Sequence, residues 1–186
     1  MPLINHLSSI ITVSPNLAEE LNKVTIKKTV AKGDVIVNCY DRCDSIYFIE
    51  KGLVRGYYFN EDKEITNWFA QEEEFATSFY AFITKKTTNE TIQALEDCSL
   101  IEIPFSVLQN LYTNFHETER LGRIITENYY IKLEERILSL QFKTAKERYQ
   151  KFAVSKPSLL QRASLGQIAS YLGITQETLS RIRAEN

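Results

Sequence analysis

Residues 165–183 read LGQIASYLGITQETLSRIR. Two short amphipathic runs flank a glycine. Ser164 precedes the first run and Gln167 follows three residues later, the pattern of a capping box. Leu165, Ile168, Ala169 and Leu172 share one helical face, and Ala169 is small where two crossing helices must approach. Gly173 stands where the first helix must end with a positive φ, which costs a residue without Cβ little. Ile174 plugs the corner, Thr175 is a good cap for a second helix, and Glu177 in its first turn suits the helix dipole. Leu179 and Ile182 point back at the first helix. Gln176, Glu177, Thr178, Ser180, Arg181 and Arg183 are left facing outward.

That outward face carries the functional signal. A structural hairpin has no need of Gln, Glu, Thr and Arg on the front of its second helix. A helix that reads duplex DNA does: Arg bonds guanine bidentately, Gln bonds adenine, Glu accepts from cytosine, and Thr touches phosphate or a thymine methyl. Thr175, Gln176, Glu177, Thr178, Ser180, Arg181 and Arg183 are therefore the candidate DNA-binding residues. The charge distribution agrees. The whole chain is −2, but residues 132–186 hold ten Lys or Arg against five Glu, a net of +5, which leaves −7 for the rest. A basic end on an acidic body is the asymmetry expected when one end meets a polyanion; a solvated helical face is the bland alternative.

Upstream, the pattern stays helical back to Pro104. Leu121, Ile124, Asn128, Ile131, Glu135 and Leu138 recur at alternating steps of three and four, an imperfect heptad seam. A second stripe of Ile125, Tyr129, Leu133 and Ile137 lies beside it. A helix over 117–140 would span about 36 Å, and a chain this small can hardly bury both faces of such a rod. One face is expected on the preceding domain and the other, with Leu121, Ile124, Asn128 and Ile131, in a homodimer seam. A helix packed wholly within its own chain is the competing reading. Residues 141–163 continue as basic helix, broken near Lys156-Pro157.

Between Val24 and Pro104 the period is two. VTIKKTV, DVIVNC, SIYFIE, LVRGYYF, EITNWFA, TIQAL and SLIEI are rich in β-branched and aromatic residues. Lys32-Gly33-Asp34, Lys51-Gly52 and Asn60-Glu61-Asp62 mark turns between them. Seven or eight strands at this spacing predict an antiparallel roll of the jelly-roll type. Residues 1–22 look helical, with Ser14-Pro15 as a start signal. No run of about 18 apolar residues exists to cross a membrane. The N-terminus lacks a basic, then apolar, secretory pattern. Three cysteines do not make a disulfide framework, so a cytoplasmic setting is expected. Two isolated histidines, no nucleophile motif and no phosphate loop argue against an enzyme.

KGDVIV, DSIYFIEKGLVRGYY, EITNWF, IQALEDCSLIEI and LGITQETLSRIR together resemble the Crp/Fnr transcription regulators over about residues 15–183. The resemblance implies an α+β chain in three parts: an effector-sensing β-roll of the cyclic-nucleotide-binding type over 1–116, a dimerisation helix over 117–140, and a helix-turn-helix DNA-binding domain over 141–186. It places the principal base contacts at Gln176, Glu177 and Arg181. It implies a bacterial homodimer on double-stranded DNA.

The departures from the family pattern matter as much. Members that bind cyclic nucleotide carry a Gly-Glu pair before a loop and an Arg-Ser/Thr pair after it. The matching positions here are Thr77-Ser78 and Thr88-Asn89, with neither charge. An Arg–phosphate pair is bidentate and charge-assisted, and Thr88 cannot replace it. Thr77, Ser78, Thr88 and Asn89 remain the candidate effector pocket, for a small molecule other than cyclic AMP or for none. Lys85 and Lys86 lie nearby and read as solvated. Cys39, Cys43 and Cys98 are too few for the four-cysteine iron–sulfur cluster of the oxygen-sensing branch, and read as small packed thiols, with redox sensing by Cys39 and Cys43 as the alternative. His6 and His116 are lone, and no metal or other cofactor is expected. The sequence stops at Asn186, too soon for the family's β-wing, so the expectation is a head lacking a full wing, with Lys156, Arg162 and Arg183 supplying phosphate contacts. The rival function is a sensor module of the same roll type that regulates a partner protein without touching DNA.

Overall fold

The computed structural model describes residues 1–185. Two short helices open the chain, α1 (Pro2–Ile10) and α2 (Pro15–Val24). The expected helical segment is split because a residue before proline disfavours the helical region. Ser14 is extended there, and its hydroxyl accepts from the Leu17 N–H.

Eight strands follow: β1 (Ile26–Val30), β2 (Val35–Val37), β3 (Ser45–Lys51), β4 (Val54–Asn60), β5 (Lys63–Ala70), β6 (Phe75–Ala76), β7 (Glu90–Ala94) and β8 (Cys98–Pro104). A short helix, α3 (Phe79–Thr84), interrupts them between β6 and β7. Two four-stranded antiparallel sheets result, in the orders β1-β8-β3-β6 and β2-β7-β4-β5. This is the predicted jelly roll, with α3 and the short β6 as further elements between β5 and β7. Tyr47, Ile49, Val54, Ile92, Ala94 and Leu100 fill the space between the sheets, and Cys43 and Cys98 pack among them.

The helical half comprises α4 (Phe105–Asn114), α5 (His116–Phe142), α6 (Ala145–Ser155), α7 (Leu159–Arg162), α8 (Leu165–Leu172) and α9 (Gln176–Ala184). At 27 residues, α5 is about 40 Å long and slightly exceeds its expected span. A second core lies under α1, α2, α4 and the start of α5, built on Leu3, Leu7, Leu17, Phe48, Ile101, Leu111 and Leu121. A third joins Leu53 and Phe69 of the roll to Phe152, Leu159, Ile168, Leu172 and Leu179 of the C-terminal helices. That third core was not legible in the sequence. It means that the helical head sits on the roll of its own chain. Among the described residues no strand follows β8, and no helix is long and apolar enough to cross a membrane.

Candidate nucleic-acid interface and effector site

The helix-turn-helix forms as its local chemistry dictates. Ser164 accepts from the Gln167 N–H at 3.2 Å, and the Ser164 N–H donates to Gln167 Oε1 at 2.9 Å, closing the capping box of α8. Gly173 ends α8 at φ +67°, and the Ile174 N–H returns to the Ala169 carbonyl at 3.0 Å. Thr175 caps α9 by accepting from the Thr178 N–H at 3.2 Å. Arg148 on α6 braces the turn by donating to the carbonyls of Leu172 at 2.8 Å and Lys143 at 2.7 Å. Leu179 and Ile182 are buried, and Leu179 shares a core with Ala169.

Thr175, Gln176, Glu177, Ser180, Arg181 and Arg183 are all exposed, and Thr178 is half-buried. Their placement on one outward side of a rigid, capped helix is the arrangement a groove-reading helix needs. The helix N-terminus holds the Glu177 carboxyl below the usual range through its own backbone N–H, and Thr175 adds to this, so it stays an acceptor.

The basic flank is disposed differently from the expectation. Arg162 does not face outward. Its guanidinium forms two bidentate pairs, with Glu72 at 2.8 and 2.9 Å and with Glu96 at 2.9 and 2.7 Å. The pairing drives Glu72 down to about 2, lowers Glu96 and raises Arg162. Lys156 pairs with Glu74 at 3.6 Å. Lys132 also meets Glu74, at 3.3 Å, and Lys151 meets Glu135 at 2.8 Å. Arg136 stacks over the Tyr171 ring at 4.2 Å. Much of the positive charge in the C-terminal third thus joins the head to the roll and to α5. Of the three side chains expected on phosphates, only Arg183 is exposed.

The stripe expected to form a dimer seam is also divided. Leu121 is 7% exposed and lies in the core under α1 and α2, with Ile124 packed against the same cluster. Both are committed to their own chain because α5 must cover the roll at its start. Asn128 and Ile131 are exposed, and beyond them Tyr130, Leu133, Ile137, Leu138 and Phe142 present apolar surface. The second stripe divides likewise: Ile125 faces the roll and Tyr129 stacks on Phe79 at 4.1 Å, whereas Leu133 and Ile137 stay exposed.

In the roll, three of the four candidate pocket residues are buried and satisfied from within. Ser78 and Thr88 share a 2.8 Å hydroxyl contact, and Thr88 also accepts from the Glu90 N–H at 2.9 Å. Thr77 turns away, donating to the Ser45 carbonyl at 2.9 Å beside the Cys43 thiol. Asn89 is exposed. Lys85 does not reach this group: its ammonium sits against the rings of Phe105 and Phe82, 3.7 Å from Asp44.

Sequence reasoning missed the residue at the centre, Glu90, which is 3% exposed. It accepts from Trp68 Nε1 at 2.7 Å and from Asn67 Nδ2 at 3.3 Å, and also hydrogen-bonds with Ser78 and Tyr58. Gly56 lies opposite Trp68 and makes room for the indole; a Cβ there would stand 2.2 Å from the ring. Burial pushes the Glu90 carboxyl up to about 7, against the pull of its hydrogen bonds. Tyr58 rises to about 12, first through burial and then through Glu90. Tyr129 of α5 rises for the same two reasons. The signal was available: Glu90 shares the inward phase of β7 with Ile92 and Ala94, where a carboxylate is out of place.

A jelly roll joined through one long helix to a helix-turn-helix is the arrangement expected of a two-part regulator, in which a sensor-type domain carries a DNA-reading head. Residues 27–115 match the cyclic nucleotide-binding domain family. The electron transport regulator A of Shewanella oneidensis is 26% identical over 92% of this chain and 73% of its own length. The fumarate and nitrate reduction regulatory protein of Vibrio cholerae is 26% identical over 96% of this chain and 76% of its own. The structure of FixK2 from Bradyrhizobium japonicum superposes with a TM-score of 0.76 at 22% identity, covering 87% of this chain and 84% of that one. The chain is thus similar over most of its length to these regulatory proteins and shares its fold with FixK2, in keeping with the resemblance to the Crp/Fnr transcription regulators.

Proposed function

We propose that this chain is a homodimeric, sequence-specific DNA-binding regulator that works in the cytoplasm. It reads the major groove with Gln176, Glu177, Thr178 and Arg181, and holds phosphates with Thr175, Ser180 and Arg183. The observation that carries the reading is the capped, outward α9 face, since no packing requirement explains those side chains there. In this reading the roll over 1–116 is the sensor, α5 pairs two chains, and residues 141–186 form the head. The pairing surface is Ile131 with Tyr130, Ile137 and Leu138, an apolar strip too extensive for a solvated face.

The effector, where one acts, is not a cyclic nucleotide. The buried Ser78–Glu90 cluster offers hydroxyls, an indole and a carboxyl, and among the described residues no cation pairs with Ser78, Thr88 or Glu90 to hold a phosphate. An electrophoretic shift with random duplexes at low salt tests the DNA reading: retention followed by selection of a preferred sequence is expected. Absence of any retained complex would overturn it.

A further inference from the structure

The basic residue expected to grip DNA just before the helix-turn-helix holds the protein's own roll instead. Arg162 closes α7, two residues before the Ser164 cap of α8. Its side chain is 21% exposed and makes four hydrogen bonds to two carboxylates. A guanidinium has five N–H donors, so one remains. The carboxylates come from different parts of the roll. Glu72 lies in the loop between β5 and β6, and Glu96 in the turn between β7 and β8. Glu72 is itself braced by the Gly52 N–H at 2.8 Å.

Other contacts fix the same orientation. Ser158 donates to Gln71 at 2.8 Å, and Lys156 pairs with Glu74. Strand β5 is a sheet edge with backbone groups to satisfy. Ser170 of α8 accepts from the Thr66 N–H at 2.8 Å and donates to the Glu64 carbonyl at 3.1 Å. Phe69, on that strand, lies against Tyr171 at 5.4 Å. The same two segments reach the buried polar cluster around Glu90. Asn67 and Trp68 of β5 hold Glu90, and the loop carrying Glu72 runs on into Ser78.

We propose that Arg162 is a positioning residue that clamps the helix-turn-helix to Glu72 and Glu96 of its own roll, fixing where the α9 face points. This rests on the DNA-binding reading above. A bidentate fork sets direction as well as distance, which a lysine could not reproduce. Because β5 and the loop after it touch both the Ser78–Glu90 cluster and the head, a change around Ser78 and Glu90 reaches α9 within one chain, without passing through the α5 pair.

The test compares Arg162→Gln with the double variant Glu72→Gln, Glu96→Gln, and with all three changes together. Amide hydrogen exchange of residues 145–185 and of the β5 edge is measured in each, alongside affinity for a duplex selected by the unaltered protein. Faster exchange at the head is expected in both partial variants. Affinity should fall in both by roughly 5- to 10-fold, the range of a modest coupling between sites. The triple variant should be no weaker, because one interaction has been removed twice. Opposite signs would overturn the proposal: a phosphate-binding Arg162 predicts weaker binding and a shallower salt dependence for Arg162→Gln, but tighter binding once two carboxylates are neutralised. Unchanged exchange in all variants would overturn it as well. Should the unaltered protein retain no duplex, the DNA reading fails by itself, and the exchange data still decide whether the clamp holds the head.

Discussion

Replacing Glu90 with glutamine removes the buried charge while keeping an oxygen that accepts from Trp68 and Asn67. In the folded protein the carboxyl titrates near 7 rather than 4.5. A carboxyl whose folded pKa is raised holds its proton longer than in the unfolded chain. Its favourable contribution is complete below about pH 4.5 and is lost as pH rises through 7. At about 1.4 kcal/mol per pH unit, the fold carries a penalty of about 3 kcal/mol above neutrality. Between pH 5 and pH 8 the native protein should therefore lose about 2–3 kcal/mol of stability that Glu90→Gln does not lose. For a chain of this size that is about 5–10 °C of melting temperature. Tyr58, Asn67, Trp68, Ser78 and Tyr129 face this carboxyl from β4, β5, the lead into α3, and α5, and none is a competing titrating group in that window. Calorimetric or urea unfolding of both proteins across this range checks it. Parallel pH profiles would refute the reasoning, because they would mean that Glu90 is solvated or paired with a cation.

Arg181→Ala should weaken the selected duplex by about 1–3 kcal/mol and relax preference at one base position; equal weakening on every sequence would reduce Arg181 to a phosphate contact. Ile131→Asp places a charge on a side chain that is 52% exposed, so melting of the monomer fold should hardly change while sedimentation shows dissociation of the dimer. A persistent dimer would place the seam elsewhere. Gly56→Ala drives a methyl into Trp68, displaces the indole from Glu90, and should cost about 1–3 kcal/mol as overpacking. Since Trp68 is the only tryptophan, its emission reports the displacement directly.

Local chemistry was legible where neighbours in sequence are neighbours in space. The capping box at Ser164, the positive φ at Gly173 and the Thr175 cap all form as read, because each is complete within four residues. The strand runs also hold, since alternation and turn residues act locally. The helix α3 was hidden because FYAFIT is short and lies next to Lys85-Lys86, which look like loop. Leu121 and Ile124 belong to the heptad pattern yet face the roll; spacing shows that a stripe exists but not which body covers it.

The charges divide along the same line. A basic C-terminal third and an acidic remainder are facts of composition, and the sequence could only suggest a polyanion as the partner. The fold supplies a closer partner, bringing Glu72 and Glu96 onto Arg162 from 90 and 66 residues away. No window along the chain contains that pairing, because it depends on two loops of a closed roll meeting one helix end. The sequence therefore determined the kinds of element, their order and the outward face of α9. Only the tertiary structure decided which cations stay exposed, which apolar stripe of α5 stays uncovered by the roll, and that Glu90 sits buried within the roll.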